Sequence, residues 1–111
     1  MAPRRIVLTP AEERELDSAA DRLAVAEGVG LALRFIASAA STFGRLSERP
    51  WLGRRRSFEH HQLRDVRSWR VKGFDNWLVF YRASGDELTI VSVVHGARDL
   101  DALFDGPDPQ N

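Results

Sequence analysis

Two nearly continuous apolar runs decide the fold: Trp77-Leu78-Val79-Phe80-Tyr81 and Leu88-Thr89-Ile90-Val91-Ser92-Val93-Val94. Runs of this length, rich in β-branched and aromatic residues, are typical of strands buried at the centre of a sheet. Ser84-Gly85-Asp86 is the turn between them. The segment before them, from Asp65 to Phe74, alternates in part between apolar and polar residues, and Asp75-Asn76 marks a second turn. The sequence therefore predicts a three-stranded antiparallel meander over residues 65–95.

A pair of helices is predicted on the N-terminal side of this sheet. Thr9 can cap a helix, Pro10 suits the first helical position, and Glu12 lies three residues after the cap, as a capping box requires. Apolar residues at spacings of three and four then predict helices over about residues 10–27 and 30–47, separated by a break at Gly28-Val29-Gly30. Ile6-Val7-Leu8 predicts a short first strand.

The remaining segments are a connection and a tail. Residues 48–64 have no sustained period and contain Pro50 and Gly53, which predicts a long loop. Asp99 can cap a short C-terminal helix over residues 100–104. The predicted fold is α+β, with an N-terminal strand, an α-helical hairpin packed on one face of the meander and a short C-terminal helix. At 111 residues, the chain is expected to form a single domain over 1–111.

Composition narrows the classes of function. The absence of cysteine excludes disulfides, thiolate zinc sites and thiol catalysis. No apolar run approaches the roughly 20 residues that span a bilayer, so we expect a cytoplasmic protein that does not bind membranes. The net charge is zero, but residues 45–82 carry nine Arg and one Lys against four acids, a balance of +6. Residues 83–111 carry one Arg against six acids, a balance of −5.

The charge pattern suggests two candidate sites. One is a basic patch at the strand ends, consisting of Arg67, Arg70, Lys72, His95 and Arg98. The other is a partner-binding loop that mixes basic and aromatic residues, namely Trp51, Arg54, Arg55, Arg56 and Phe58. A solvated, arginine-rich surface explains the same residues without any ligand. His60-His61 does not predict a metal site, because adjacent side chains on an extended chain point in opposite directions. We expect neither a metal nor a cofactor.

Three segments carry a resemblance to a known superfamily. They are Leu63-Arg64-Asp65-Val66-Arg67-Ser68-Trp69-Arg70-Val71, Val79-Phe80-Tyr81-Arg82 and Val93-Val94-His95-Gly96-Ala97-Arg98-Asp99-Leu100. In this order, and after a helical hairpin, they resemble strands two, three and four of the RelE/ParE toxins. The ending His-Gly-x-Arg-Asp is similar to the ParE branch. The resemblance covers roughly residues 5–104.

The resemblance implies the toxin of a type II toxin–antitoxin system. A ParE-like toxin is expected to inhibit DNA gyrase by binding, without a catalytic centre, and to be neutralised by a cognate ParD-like, DNA-binding antitoxin. Two alternatives stay open. One is a RelE-type endoribonuclease that cuts messenger RNA at the ribosome, and the other is a non-toxic descendant that only binds an antitoxin. Direct binding of nucleic acid is left undecided by the sequence.

Overall fold

The computed structural model describes residues 3–56 and 65–96. Along the chain the elements are β1 (Arg5–Leu8), α1 (Pro10–Glu27), α2 (Val29–Glu48), a 3₁₀ helix (Pro50–Leu52), β2 (Arg54–Arg55), β3 (Arg67–Val71), β4 (Phe74–Ser84) and β5 (Glu87–His95). The predicted C-terminal helix lies outside the described residues. The α+β architecture agrees with the sequence analysis, and the predicted elements that the structure describes occur in the predicted order, with a 3₁₀ helix and β2 added between α2 and β3.

The helical hairpin begins and turns where the sequence indicates. The Thr9 side chain accepts a hydrogen bond from the backbone N–H of Glu12 at 3.2 Å, which satisfies a free amide of the first turn of α1. Gly28 ends α1 with φ of 101°, a conformation that side chains with a Cβ rarely adopt. Its N–H still donates to the carbonyl of Ala24, so α2 can start one residue later.

The sheet is larger than the predicted meander. It has five strands in the order β1-β5-β4-β3-β2, in which β1 runs parallel to β5 and the other neighbours are antiparallel. The predicted 48–64 loop in fact contains the 3₁₀ helix and β2. Two residues are too few to show an alternating pattern, and β2 becomes a strand only because it pairs with Arg67 and Ser68 of β3.

The first turn of the meander lies earlier than predicted. Lys72-Gly73 connects β3 to β4, whereas Asp75 and Asn76 belong to β4. Gly73 has φ of 78°, which a two-residue hairpin loop commonly needs and which glycine adopts without strain. The second turn is Gly85-Asp86, within the predicted segment.

The core lies between the hairpin and one sheet face. Phe35 of α2 is fully buried and packs edge-on against Phe74, with ring centroids 5.3 Å apart, and against Trp77 at 4.7 Å. On the opposite sheet face, Val66, Phe80 and Val94 form a second buried apolar cluster. Because both faces of β4 are buried, its near-continuous apolar sequence is explained. Within the described residues, neither helix is long and apolar enough to cross a membrane.

A carboxyl pair holds α1 to β5. Glu15 accepts hydrogen bonds from the Ser92 hydroxyl at 2.8 Å and from the Val93 backbone N–H at 3.3 Å. Glu12 lies beside Glu15 in the first turns of the helix. The pKa of Glu12 rises from 4.5 to about 8, mainly through burial and then through the charge of Glu15 and a hydrogen bond to it. The Glu12 carboxyl therefore keeps its proton at neutral pH in the folded protein, at the contact between α1 and β5.

Candidate functional site

A buried tyrosine organises the segment that leads into β2. Tyr81 is fully buried. Its hydroxyl donates to the Pro50 carbonyl and accepts from the Gly53 N–H, both at 2.7 Å. Arg67 donates to the Gly53 carbonyl at 2.8 Å. Burial raises the pKa of Tyr81, while the Gly53 hydrogen bond and the charge of Arg67 act in the opposite direction. The phenol is therefore a neutral hydrogen-bonding anchor between the sheet and the start of β2.

Only glycine fits at position 53. A Cβ added there would overlap the hydroxyl oxygen of Tyr81 and would lie 2.7 Å from each of two carbons of its ring. The close approach lets the backbone reach the phenol, and the chain then turns directly into Arg54. Gly53 and Tyr81 together fix where the first arginines of the segment emerge.

The arginine that follows β2 is held in place from two sides. The Nε of Arg56 donates to the Ser68 hydroxyl at 2.7 Å, and its guanidinium carbon lies 5.9 Å from the centroid of the Phe80 ring. Burial, followed by the nearby charge of Arg54, lowers the pKa of Arg56 from its usual range. Two cations are thus placed side by side where their mutual repulsion favours an anion from outside.

Lys72 is positioned by α2. The Thr42 hydroxyl accepts a hydrogen bond from the Lys72 backbone N–H at 3.1 Å and donates to the Ser38 carbonyl at 2.7 Å. Thr42 is buried whereas Lys72 is exposed. The helix therefore fixes the backbone of the β3–β4 turn and leaves the lysine side chain in solvent.

We expect Thr42→Val to loosen this turn. Valine has a similar shape but cannot accept the Lys72 N–H, so the substitution should cost about 1 kcal/mol of unfolding free energy. Hydrogen exchange at the Lys72 amide should become faster. Thr89→Val is the matched control, because Thr89 lies half-exposed on β5 and valine suits a strand. Urea denaturation with amide exchange tests both, and unchanged Lys72 exchange would contradict the assignment.

Arg56 and Lys72, with their partners Ser68 and Thr42, line one concavity, named here the basic groove. Its volume is about 1130 Å³, and α2, β2, β3 and β4 all contribute to its walls. The cations that line it are Arg45, Arg54, Arg56, Arg70 and Lys72. Glu48 and Asp75 are the carboxylates in its lining. Five cations against two carboxylates leave an excess of three positive charges, on a chain whose net charge is zero.

The groove joins parts of the two predicted sites and leaves other parts out. Arg70 and Lys72 from the basic patch meet Arg54 and Arg56 from the loop in the groove lining.

The other predicted site residues lie elsewhere. Arg67 donates a hydrogen bond to the Gly53 carbonyl. Outside the lining, His95 packs edge-to-face on Trp77, with centroids 5.0 Å apart. The other loop residues are exposed, Arg55 on β2 and Trp51 with 61% of its surface accessible. Arg98 and Phe58 lie outside the described residues.

Sequence reasoning missed the contribution of α2. Arg45 and Glu48 line the groove, three residues apart on the last turns of the helix. That spacing places them on one helix face, and this is the feature of the sequence that could have pointed to a contribution from α2. Nothing in the sequence, however, indicates that this face borders β3.

Comparison with known proteins identifies the family. A family model described as the ParE toxin of the type II toxin–antitoxin system parDE matches residues 6–100. The chain belongs to the ParE toxin family. The matched region contains β3, β4 and β5, so the three segments that resembled the superfamily lie within it.

A solved structure supports the ParE fold. The chain is similar to a chain of the chromosomal ParDE toxin–antitoxin system from P. aeruginosa, with a TM-score of 0.68 and 19% sequence identity. The alignment covers 84% of this chain and 96% of that one. No curated protein sequence matches the chain. At this identity the structural likeness concerns the fold, and the family model carries the assignment to the ParE toxins.

Proposed function

We propose that this ParE-family protein arrests cell growth by inhibiting DNA gyrase in the cytoplasm, and that a cognate ParD-like, DNA-binding antitoxin keeps it silent. The family match over residues 6–100 carries this proposal. The mechanism is inhibitory binding rather than bond cleavage. The protein presents a rigid arginine-rich surface, anchored by Tyr81 and Arg56, that can complement a partner without rearranging.

The chemistry of the groove supports binding over catalysis. General acid–base cleavage of RNA needs a group that moves a proton near the 2′-hydroxyl. Neither histidine nor tyrosine occurs in the groove lining that the structure describes. Tyr81 is fully buried as an anchor, and His95 packs on Trp77. The groove cations can hold an anion by charge and hydrogen bonding.

An endoribonuclease is the second candidate, because one observation favours it. Five cations in a single groove can stabilise charge around a phosphate. The carboxylates Glu48 and Asp75, in the same lining, could accept a proton. If the protein cuts RNA, Glu48→Gln or Asp75→Asn should abolish cleavage. The same substitutions should leave a gyrase inhibitor toxic.

The deciding experiment is induced expression in a bacterial host with two reporters, one for DNA damage and one for transcript integrity. We expect growth arrest, a rising DNA-damage signal and intact transcripts. Co-expression of the product of a neighbouring small open reading frame should restore growth. Arrest with rapid transcript loss and no damage signal would identify the ribonuclease. Unimpaired growth with folded protein present would identify a non-toxic antitoxin-binding module.

A further inference from the structure

One tryptophan lies on the surface, away from the core and from the basic groove. Trp51 has 61% of its surface accessible, and among the described residues it is the one exposed aromatic side chain. Tryptophan is strongly buried on average, because its ring carries a large apolar area. Whether an exposed indole binds a ligand depends on how rigidly it is held and on which groups surround it.

The backbone on both sides of Trp51 is fixed to the core. The buried Tyr81 hydroxyl donates to the Pro50 carbonyl and accepts from the Gly53 N–H, both at 2.7 Å. The Pro50 side chain is buried and Leu52 packs against the core. A 3₁₀ helix has three residues per turn, so this single turn directs Trp51 outward and its two neighbours inward. Because the backbone is already ordered, stacking of a ligand on the indole costs little conformational entropy.

Exposed arginines flank the indole. Arg49 lies two residues before Trp51, at the C-terminal end of α2, and Arg55 lies on β2. The strand register places Arg55 opposite Arg67 and Arg67 opposite Tyr81. Directly opposed side chains of neighbouring strands share a sheet face, so Arg55 lies on the face where Tyr81 holds the backbone around Trp51. Trp51, Arg49 and Arg55 are named here the indole patch.

The indole patch is separate from the basic groove. Arg54 pairs with Ser68 and belongs to the groove lining. Arg55 is the next residue along β2, and successive side chains of a strand point to opposite faces. None of the three patch residues is in the groove lining. The patch is therefore a second cationic surface that shares no residue with the groove.

The patch has the charge that recognition of phosphate requires. Residues 49–56 contain four arginines and no acid. Within the described part of the chain, neither Arg49 nor Arg55 forms a salt bridge. A guanidinium group can bind a phosphate through two parallel hydrogen bonds, which makes arginine a preferred residue for phosphate recognition. Two such groups beside a flat aromatic ring match a ligand that carries both phosphates and planar bases.

The single ring suits a nucleobase better than a protein partner. Energetically important side chains of protein interfaces lie in well-packed apolar surroundings. The other large apolar residues that are exposed in the described chain lie on β1, at the opposite edge of the sheet, and at the far end of the helical hairpin: Ile6, Val25, Val29 and Leu33. Trp51 is thus surrounded by charge rather than by apolar side chains. Proteins that bind single strands combine stacking of bases on aromatic rings with cations along the backbone.

We infer that the indole patch binds single-stranded nucleic acid, with one unpaired base stacked on Trp51 and the flanking phosphates held by Arg49 and Arg55. The contact is independent of base sequence, because every base has a π face and the arginines meet only phosphates. DNA and RNA share this chemistry. The site is additional to the proposed action on gyrase and does not depend on it.

Intrinsic fluorescence reports this contact directly. Of the three tryptophans, Trp51 is exposed, Trp69 half-buried and Trp77 buried, and a base stacked on an indole quenches its emission. Addition of a ten-nucleotide thymidine single strand to the purified full-length protein should therefore quench part of the emission. Trp51→Phe should bind the same strand, labelled for anisotropy, within about threefold of the original affinity but without quenching, since phenylalanine also stacks on bases.

Trp51→Ala should weaken binding of the labelled strand about tenfold, within the range expected for the loss of one stacked base. Leu33→Ala is the matched control. It also removes a large apolar side chain from the surface, 65% of which is accessible, but Leu33 lies outside the patch. Its effect on binding should be less than about twofold. Equal weakening by the two variants, or full binding by Trp51→Ala, would overturn the inference.

The arginines are tested by the dependence of affinity on salt. Each phosphate contact to a single strand contributes about 0.7 to the slope of log affinity against log salt concentration. Arg49→Ala combined with Arg55→Ala should therefore flatten the slope by about 1.4. Arg22→Ala combined with Arg34→Ala removes two exposed arginines from the helical hairpin and should leave the slope unchanged. The same flattening in both double variants would mean that charge acts without a defined site.

Three further probes separate the possible ligands. A ten-nucleotide uridine RNA should also quench Trp51, and its affinity relative to the thymidine strand identifies the preferred sugar. A ten-base-pair duplex should not quench Trp51, because its bases are stacked inside; equal quenching by the duplex would overturn the inference. Tighter binding of a ten-glutamate peptide than of either single strand, lost in Trp51→Ala, would overturn it in favour of an acidic protein partner.

Discussion

Replacement of Gly53 with alanine is expected to lower the free energy of unfolding by about 3 kcal/mol. The new Cβ would overlap the Tyr81 hydroxyl, and neither side can move freely. Tyr81 is fully buried among core residues of the helix-facing sheet surface, while Gly53 is tied by its N–H to Tyr81 and by its carbonyl to Arg67. Relief of the overlap must break the phenol's hydrogen bonds to Gly53 or Pro50.

Urea denaturation of the alanine variant measures the effect, and the chain provides a matched glycine. Gly30 lies in α2, and a Cβ added there would meet nothing within 4 Å. Gly30→Ala should therefore leave stability unchanged or raise it by up to about 1 kcal/mol, because alanine favours helix over glycine. If both variants unfold at the same urea concentration, the close contact between Gly53 and Tyr81 does not exist in solution.

The Gly53 variant also tests whether the anchor serves the groove. Loss of the contact should release the backbone that precedes Arg54, so exchange of the Arg54 and Arg55 backbone amides should become faster even though no charge is removed. Tyr81→Phe separates the effect of losing the hydroxyl's hydrogen bonds from the effect of the steric overlap. It removes the hydroxyl without an overlap, leaving the Gly53 N–H and Pro50 carbonyl unpaired at a cost of about 1–3 kcal/mol.

The sequence predicted the elements whose signals are local. Thr9-Pro10 specifies the start of α1 by hydrogen bonding and by a fixed backbone angle, and both effects act within one turn. The apolar runs of β4 and β5 identify buried strands because burial on two faces leaves few polar positions. The satisfied hydroxyl of Tyr81 was also foreseeable, since a buried phenol needs a partner.

The missed features depend on tertiary contacts. Asp75-Asn76 also has turn chemistry, but the turn lies at Lys72-Gly73, where Gly73 adopts a positive φ and Thr42 of α2 accepts a hydrogen bond from the Lys72 N–H. β2 owes its existence to β3. The groove combines Arg45 with Arg54 and Arg70 from three separate elements, and no periodicity within one segment reports that meeting.

The second large effect is expected in the pH dependence of stability. Glu12 has its pKa raised from 4.5 to about 8, so between these values the folded state keeps a proton that the unfolded chain releases. Stability from this group is fully present below pH 4.5 and is lost as the pH rises through about 8. Because Glu12 is only half-buried, solvent screening reduces the effect to about 1–2 kcal/mol.

Glu12→Gln should remove this loss. The glutamine amide can donate to the Glu15 carboxylate as the protonated acid does, but it carries no proton to release. At pH 8.5 the variant should therefore be more stable than the original protein by about 1–2 kcal/mol, whereas near pH 4.5 the two should be similar. Thermal unfolding monitored by circular dichroism across this range measures the difference.

Glu13→Gln is the matched control for the pH profile. Glu13 lies in the same helical turn but is exposed, so its substitution should change stability by no more than about 0.5 kcal/mol at either pH. Parallel profiles for the Glu12 variant and the original protein would mean that the two carboxyl groups do not share a proton. A gain confined to high pH would locate the titration at the contact where Glu15 holds Ser92 and Val93.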